Sequence, residues 1–395
     1  EYVSGETDAT DAARARGLAL TGALEVAAMA AGWSGRLAPG EVTVSTTDDV
    51  VDVDTVALAS RGAAAVDWLA LNPGTDGRVS LREAVLAANV DADRNTIWLP
   101  AGTHALTRIG TDDTALLGDL DLNHAVDIRG LGAGQTAVVD GQASHRLFDI
   151  GAVDVVLSNL ALQNGDDGVG GAVSADGATL AIDSVVFSGN RATGSGARGG
   201  AIDAAGGTLT IAASRFQSNE ATGLADRGGA VSTDGTTVSV TGSVFDSNDV
   251  SGIFASGGAI AALNGALAID DSVFTGNTGT GSGGAISIVS AQSVVIEDSR
   301  FEGNKAWSGG GLNVQHLGAV PVSVAIDRTH FVDNEATGVL GNGGGLRVVG
   351  SGRGGAVPLA LRIDSALFEG NLAQDGAGGA IELSTNAASS ADVVN

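Results

Sequence analysis

The C-terminal half of the chain repeats a short alternation of aliphatic and polar residues. In each copy two aliphatic positions are separated by one residue, and glycine, serine and asparagine flank the run. An alternation with a period of two is typical of a short, half-buried β-strand. The aliphatic pairs are Leu180/Ile182, Leu209/Ile211, Val238/Val240, Leu267/Ile269, Val294/Ile296, Val324/Ile326 and Leu361/Ile363.

Two further elements recur in step with these strands. A Phe-x-x-Asn element takes up seven of the nine phenylalanines, at spacings of 29, 29, 29, 27, 30 and 37 residues. It occurs at Phe187/Asn190, Phe216/Asn219, Phe245/Asn248, Phe274/Asn277, Phe301/Asn304, Phe331/Asn334 and Phe368/Asn371. Two glycines, then alanine or glycine and an aliphatic residue, occur at Gly170–Val173, Gly199–Ile202, Gly228–Val231, Gly257–Ile260, Gly283–Ile286, Gly310–Leu312, Gly344–Leu346 and Gly378–Ile381.

The repeat unit predicts one coil of a parallel β-helix. A unit of this length with two or three short strands and no helix has room for one turn of such a solenoid. Leucine-rich repeats have a similar period but need a leucine-dominated consensus, and a propeller blade needs about 40 residues and four strands. The predicted fold is therefore all-β: a right-handed, single-stranded parallel β-helix of about ten coils, with a helix-containing N-terminal cap.

The repeated phenylalanine and asparagine positions are interpreted as structural. Equivalent residues of successive coils lie about 4.8 Å apart, so phenylalanine stacks on phenylalanine inside the cylinder. A buried asparagine can bond its amide to the asparagines above and below, which satisfies an otherwise costly polar group.

The sequence predicts two parts, a cap over 1–94 and the β-helix over 95–395, with regular repeats over 170–381. In the cap we expect an Ala-rich helix over 8–31, a strand within 41–58, and a helix from the capping-box residue Ser80 to about Ala88. Irregular coils are expected before the repeats, with Asn164 in phase with the asparagine column. Their predicted strands are Thr96–Leu99, Val126–Ile128, Ala137–Val139, Leu147–Ile150 and Val155–Leu157.

The end of the chain carries no amphipathic segment suited to cap the last coil. An open coil exposes strand edges and apolar side chains. We therefore predict that other copies of the chain, or further repeats, cover the C-terminal coil.

Charge and composition exclude several classes of function. The formal net charge is −26, which opposes binding to nucleic acid or to anionic lipid. The chain has no cysteine, so disulfides, cysteine metal sites and a cysteine nucleophile are excluded. No apolar stretch is long enough to predict a transmembrane helix.

Candidate chemistry on the outer surface is sparse. Asp176, Asp203 and Asp234 follow the Gly-Gly elements at positions expected to face outward, and they form the best acidic group on that face. A polysaccharide lyase or hydrolase would need such carboxylates from neighbouring coils. No Lys, His, Trp or Tyr joins them in register, which favours the alternative of scattered solvated acids. The five histidines share no metal-ligand spacing. Trp307, in the loop predicted after Asn304, is an available exposed anchor.

One column of carboxylates is a candidate calcium site. The outward position after the aliphatic pair is acidic on four successive coils, at Asp270, Glu297, Asp327 and Asp364. Like charges about 5 Å apart repel, and Ca²⁺ accepts several oxygen ligands at once. A solvated acidic edge that holds only diffuse counterions is the alternative. No cofactor is required by any motif.

The repeats resemble those of polymorphic outer-membrane proteins, a group of bacterial surface adhesins. The likeness rests on the alternation of Gly-Gly-Ala-aliphatic with Phe-x-x-Asn over 170–381. Val79-Ser-Leu-Arg-Glu-Ala84 and the residues up to Gly102 are similar to the CSLREA domain of secreted bacterial β-helix proteins, with Val79 in place of the motif's cysteine. The resemblance implies an extracellular or cell-surface bacterial protein and carries no catalytic residues.

Taken together, the sequence favours a secreted or cell-surface scaffold with an adhesive or assembly function. The alternatives are a glycan-binding recognition module and a polysaccharide-active enzyme. Possible partners are other copies of the chain, a surface protein or a glycan, and the only cofactor considered is Ca²⁺.

Overall fold

The computed structural model describes residues 38–132, 136–317, 321–350, 359–384 and 390–394. The helix predicted over 8–31 lies outside these residues. Every strand pair is parallel, and the chain visits four sheets in turn in each coil, so the predicted parallel β-helix of about ten coils is confirmed. The sequence predicted two or three strands in each coil, whereas the full coils contain four. No helix in the described ranges is long and apolar enough to cross a membrane.

Counted over the described residues, as for the other three sheets, sheet I has ten strands, and those of the regular repeats follow the Gly-Gly elements. They are Leu120–Leu122, Phe148–Ile150, Val173–Asp176, Ile202–Ala205, Val231–Asp234, Ile260–Leu263, Ile286–Val289, Leu312–His316, Leu346–Gly350 and Ile381–Ser384. Sheet II has twelve strands and contains the aliphatic pairs. They are Glu41–Thr43, Asn95–Leu99, Val126–Gly130, Asp154–Ser158, Thr179–Asp183, Thr208–Ala212, Thr237–Thr241, Ala266–Asp270, Ser293–Glu297, Val322–Asp327, Leu359–Asp364 and Ser390–Val394.

Sheet III has ten strands and carries the phenylalanines. They are Gly102–Ala105, Ala137–Asp140, Leu160–Gln163, Val186–Ser188, Arg215–Gln217, Val244–Asp246, Val273–Thr275, Arg300–Glu302, His330–Val332 and Leu367–Glu369. Sheet IV, the unpredicted fourth, has eight strands. They are Asp166–Asp167, Arg191–Ser195, Glu220–Leu224, Asp249–Ile253, Thr278–Ser282, Lys305–Ser308, Glu335–Ala336 and Leu372–Ala373.

The cylinder is held together by the two predicted columns. Neighbouring phenylalanine rings from Phe187 to Phe368 stack with centroids 4.6–4.9 Å apart. Asn248 is fully buried, and its Nδ2 donates to Oδ1 of Asn277 at 2.9 Å and to the carbonyl of Phe216 at 3.0 Å. Because each amide bonds to both neighbouring coils, the buried polar groups cost little and fix the register.

The prediction that Asn164 belongs to the asparagine column is wrong. Leu162 pairs with Phe187, which places Gly165 opposite Asn190, and the Gly165 N–H donates to Asn190 Oδ1 at 3.0 Å. Asn164 lies one residue too early and donates instead to Asp140. The column therefore starts at Asn190. The five strands predicted upstream are confirmed to within one residue at their starts and two at their ends.

From residue 38 onward, where the structure describes it, the cap contributes three α-helices, Thr55–Ala59, Ala65–Leu71 and Leu81–Ala88, and the 3-10 turn Gly62–Ala64. Ser80 and Glu83 form the predicted capping box, and all eight residues of the third helix are buried. Of the predicted strand within 41–58, only Glu41–Thr43 is a strand, and it pairs with Asn95–Leu99 as the first rung of sheet II. The boundary at residue 94 stays a prediction.

Sheet IV stands apart from the cylinder as part of a fin. We define the fin as the sheet IV strands together with the return segments that follow them, whose residues Arg198, Arg227 and Ser256 pair in register. Its small core of alanines and Val250 is separate from the main core. The chain leaves and re-enters the cylinder at one neck, where backbone meets backbone: a Cβ on Gly200 would lie 2.6 Å from Glu220 O. The second glycine of the pair is thus required by space.

Candidate functional site

The four carboxylates of the predicted calcium column lie on successive rungs of sheet II. The backbone register pairs Asp270 with Glu297, Glu297 with Asp327, and Asp327 with Asp364. Two arginines reduce the charge of this column, because Arg328 contacts Asp327 and Arg362 contacts Asp364. Within the described residues no three histidine or carboxylate side chains converge closely enough to hold a metal ion. Calcium binding at this column stays a prediction.

The acidic group on sheet I differs from the sequence interpretation. Asp176 and Asp234 are exposed, but Asp203 is only 7% exposed. Its carboxylate lies 3.6 Å from Arg198 of the fin. Burial raises the pKa of Asp203, Asp234 raises it further, and Arg198 opposes both effects. The position was expected to face solvent, but here the fin lies against the outer face of sheet I.

The same outward column continues upstream, and the sequence does not predict its acidic residues there. Asp121 and Asp149 precede Ser174 and Asp203 in register. Arg146 lies at the centre of a cluster there, 2.7 Å from Asp119, 3.6 Å from Asp149 and 3.7 Å from Asp167. These coils lack the Gly-Gly element, so the repeat pattern gave no frame in which to align them.

Stability should respond to pH through Asp121. Burial and the charges of Asp119, Asp149 and Asp112 raise the pKa of this carboxyl to about 6, although the Ala115 N–H donates to it. The folded state therefore holds the proton more tightly than the unfolded chain. We expect this group to increase the free energy of unfolding by about 2–3 kcal/mol as the pH falls from about 7 to 4.

Urea unfolding at both pH values, in wild type and in Asp121→Asn, measures this contribution. The variant should lose that part of the pH dependence, whereas Asp154→Asn, at an exposed position, should keep it. Identical pH profiles in the wild type and Asp121→Asn would show that this proton has no part in stability.

The fin changes height along the rod. In the register of sheet I, the coils from Val173 to Ile260 are 29 residues long. The next two, which end at Ile286 and Leu312, have 26 residues each, and the last two have 34 and 35. The residues lost in the short coils come from the fin, and the sheet IV register shifts between Gly279 and Ser282. Beside these two coils a gap lies between the edge of the fin and the outer face of sheet I.

This gap, which we call the notch, is a cavity of about 570 Å³. Its floor consists of outward residues of sheet I, and its walls are the edge of the tall fin on one side and Trp307 on another. The lining residues are 252–256, 280–282, Ser287, Val289, Trp307, Asn313 and Gln315.

Trp307 presents a flat aromatic wall. It lies in the strand Lys305–Ser308, not in the predicted loop, and its side chain is 51% exposed as the sequence analysis expected. A Cβ on Gly338 would lie 2.5 Å from the indole ring atoms, so only glycine lets the ring rest on the backbone there. One face of the indole is thereby supported, and its exposed surface lines the notch.

Phe254 forms the opposite edge and is held in an unfavourable conformation. The turn at the tip of the fin needs a residue in the left-handed conformation. This residue is Gly196 in one coil and Ala225 in the next, and in the coil after that it is Phe254, with a φ of +68°. A bulky residue in this region costs about 1–2 kcal/mol, and its side chain is 84% exposed. Nothing in the core requires a phenylalanine here, which points to a surface role.

The floor of the notch is polar. Ser287 and Asn313 are almost fully buried by the surrounding backbone, and Asn313 Oδ1 accepts a hydrogen bond from Arg347 Nη1 at 3.1 Å. The side chains of Ser287 and Gln315 make no hydrogen bond to another described residue. No charged side chain lines the notch among the described residues. The site thus combines two aromatic surfaces with neutral hydrogen-bonding groups.

One repeat of the chain matches the model of a known repeat family. Residues 271–289, which include Phe274, Asn277 and the Gly-Gly element at Gly283, match the model of the Chlamydia polymorphic membrane protein (Chlamydia_PMP) repeat. No curated protein matches the chain. The match does not reach 79–102, so the likeness of that segment to a CSLREA domain stays a prediction.

A solved structure with some similarity is the catalytic unit of the thermostable GH87 alpha-1,3-glucanase from Streptomyces thermodiastaticus strain HF3-3. The identity is 14%, the aligned part covers 80% of this chain and 64% of that chain, and the TM-score is 0.27. This chain thus spans less than two thirds of the glucanase unit. The all-parallel coils make the chain a repeat protein with a β-helix fold, and its repeat over 271–289 is of the polymorphic-membrane-protein type.

Proposed function

We propose that this protein is a secreted or cell-surface bacterial adhesive protein that contacts its partner through the notch. The observation that supports this most is the pair of exposed aromatic residues, Phe254 and Trp307, that line an uncharged cavity between the fin and sheet I. Exposed aromatic side chains are typical anchors of binding interfaces. The matched repeat supports a bacterial surface setting.

A binding role suits the notch better than catalysis. Glycan cleavage by the common mechanisms needs a pair of carboxyl groups at the bond that breaks, and the described lining of the notch holds none. The carboxylates around Arg146 lie on coils before residue 170, away from the aromatic walls.

Attachment of protein-coated beads tests the proposal. Beads that carry the full chain are incubated with cultured epithelial cells and with bacterial cells, and bound beads are counted. The Phe254→Ala/Trp307→Ala variant should reduce attachment at least tenfold, since the notch loses both aromatic walls. Leu224→Ala is the control, because Leu224 is exposed and pairs in register with Ile253 but lies outside the notch. Attachment no better than that of albumin-coated beads would contradict the proposal.

The last coil supports a second candidate function, assembly. Leu372, Leu383 and Val393 are 51%, 41% and 60% exposed there. The strand Ser390–Val394 pairs with Leu359–Asp364 on one side and has no strand of the described chain on the other. An unpaired strand edge is a template for another chain.

We expect the chain to associate with other copies through this edge. Sedimentation velocity should show a mass that rises with concentration, and Val393→Asp should prevent this by placing a charge at the edge. Ile109→Asp, at a position 81% exposed in an N-terminal loop, should leave association unchanged. A single-chain mass at all concentrations would rule out the assembly role.

A further inference from the structure

The chemistry of the notch identifies a class of ligand. Its two walls offer apolar aromatic surface, and Trp307 adds an indole N–H that makes no hydrogen bond within the described chain. A pyranose ring has the matching character, with a C–H face that packs on an aromatic ring and hydroxyl groups around its edge. Trp is well suited to this contact because it is apolar over most of its surface and polar at one point.

The floor supplies partners for hydroxyl groups. Ser287 and Gln315 both carry donors and acceptors that no described residue uses. Asn313 is already fixed by Arg347, so its amide is held in one orientation at the floor. Such fixed neutral groups recognise hydroxyls well, because a ligand without them would leave buried polar atoms unpaired.

Charge narrows the class further. The chain has a net charge of −26, yet the described lining of the notch contains no charged side chain. A sialylated or sulfated glycan would be repelled by the acidic protein and would have no cationic side chain in the notch to bind. A basic peptide would have no carboxylate there to bind. The volume of about 570 Å³ lies within the range of roughly 300–1,000 Å³ typical of small-ligand sites.

We propose that the notch binds a neutral oligosaccharide, with one sugar ring against Trp307 and another against Phe254. This inference rests on the proposed adhesive function and names the ligand of its site. The tall fin forms one end of the site, and the two shortened coils leave the side open for a chain of sugars to enter.

A glycan array that carries neutral, sialylated and sulfated oligosaccharides tests the proposal with the full chain. We expect binding to a subset of the neutral glycans, and titration calorimetry with the best of them gives the affinity. Trp307→Ala should weaken that affinity at least tenfold, and Trp307→Phe, which keeps an aromatic face, should weaken it less. Leu224→Ala should bind as the wild type does, and equal melting temperatures verify that all three variants are folded.

The bead assay and the glycan array together distinguish a failure of the proposed ligand class from a failure of the proposed adhesive function. If beads attach through the notch but no neutral glycan binds, the ligand class is wrong and the adhesive function stands, with a protein surface as the partner. Binding that depends on sialic acid or sulfate, or that Trp307→Ala leaves unchanged, also overturns the proposal. If neutral glycans bind at the notch but beads do not attach to cells, the ligand class holds and the adhesive function fails.

Discussion

Replacement of Phe245 by alanine should destabilise the protein by about 3–5 kcal/mol. The ring is fully buried between Phe216 and Phe274, with centroid distances of 4.6 and 4.8 Å and nearly parallel planes. Its removal opens a cavity that neither neighbour can fill, because each is held in place by its own coil. The unfolding midpoint in urea should fall accordingly, with little change in the slope of the transition.

The matched control is the same substitution at an exposed phenylalanine. Phe254→Ala removes a side chain that is 84% exposed, so the midpoint should move little while the notch loses a wall. Phe245→Ala should therefore lower the stability of the protein, whereas Phe254→Ala should weaken binding at the notch. A Phe245→Ala midpoint equal to that of the wild type would contradict the stacked core.

Gly229→Ala should destabilise the protein by roughly 3 kcal/mol or more, at the upper end of the range for overpacked sites. A Cβ at this position would lie 2.1 Å from Gly258 O and 2.5 Å from Asp249 O. Both contacts are with backbone at the neck of the fin, where no side chain can rotate away. The neck would have to open, and the parallel hydrogen bonds between neighbouring coils would lengthen.

Gly168→Ala provides the comparison, because its Cβ would meet only Thr193 O at 3.4 Å, an ordinary contact, and its φ is not left-handed. Thermal unfolding followed by circular dichroism compares the two variants with the wild type. A shift in the midpoint for Gly168→Ala as large as that for Gly229→Ala would show that a general effect of replacing glycine, not the close approach of backbone at the neck, explains the loss of stability.

The cylinder could be predicted from the sequence because identical residues of successive coils contact each other in it. Phe245 lies on Phe216, and Asn248 bonds to Asn277, so the period of the sequence is also the period of the contacts. Asn164 shows the limit of that reasoning, since a coil one residue shorter than assumed moved its side chain out of the column.

The fin was missed for a different physical reason. Its strands bury alanine under alanine, as at Ala192 and Ala197, and such small residues give no aliphatic alternation to detect. The notch depends on the length of two coils rather than on any residue type. Its signal is present in the two repeat intervals of 26 residues, but those intervals gain meaning only once the fin is known to absorb the difference.

Because the neck of the fin is closed, the length of the fin can change without a change in the stacked core of the cylinder. From Gly199 to Asn219, and in each of the next three coils, the path around the cylinder takes 20 or 21 residues, whereas the excursion from asparagine to the next Gly-Gly element falls from 9 to 6. Insertions and deletions in the excursion leave the stacked core untouched. New recognition surfaces can therefore evolve, or be engineered, by changes in loop length alone, one coil at a time, while the stacked phenylalanines and asparagines stay in place.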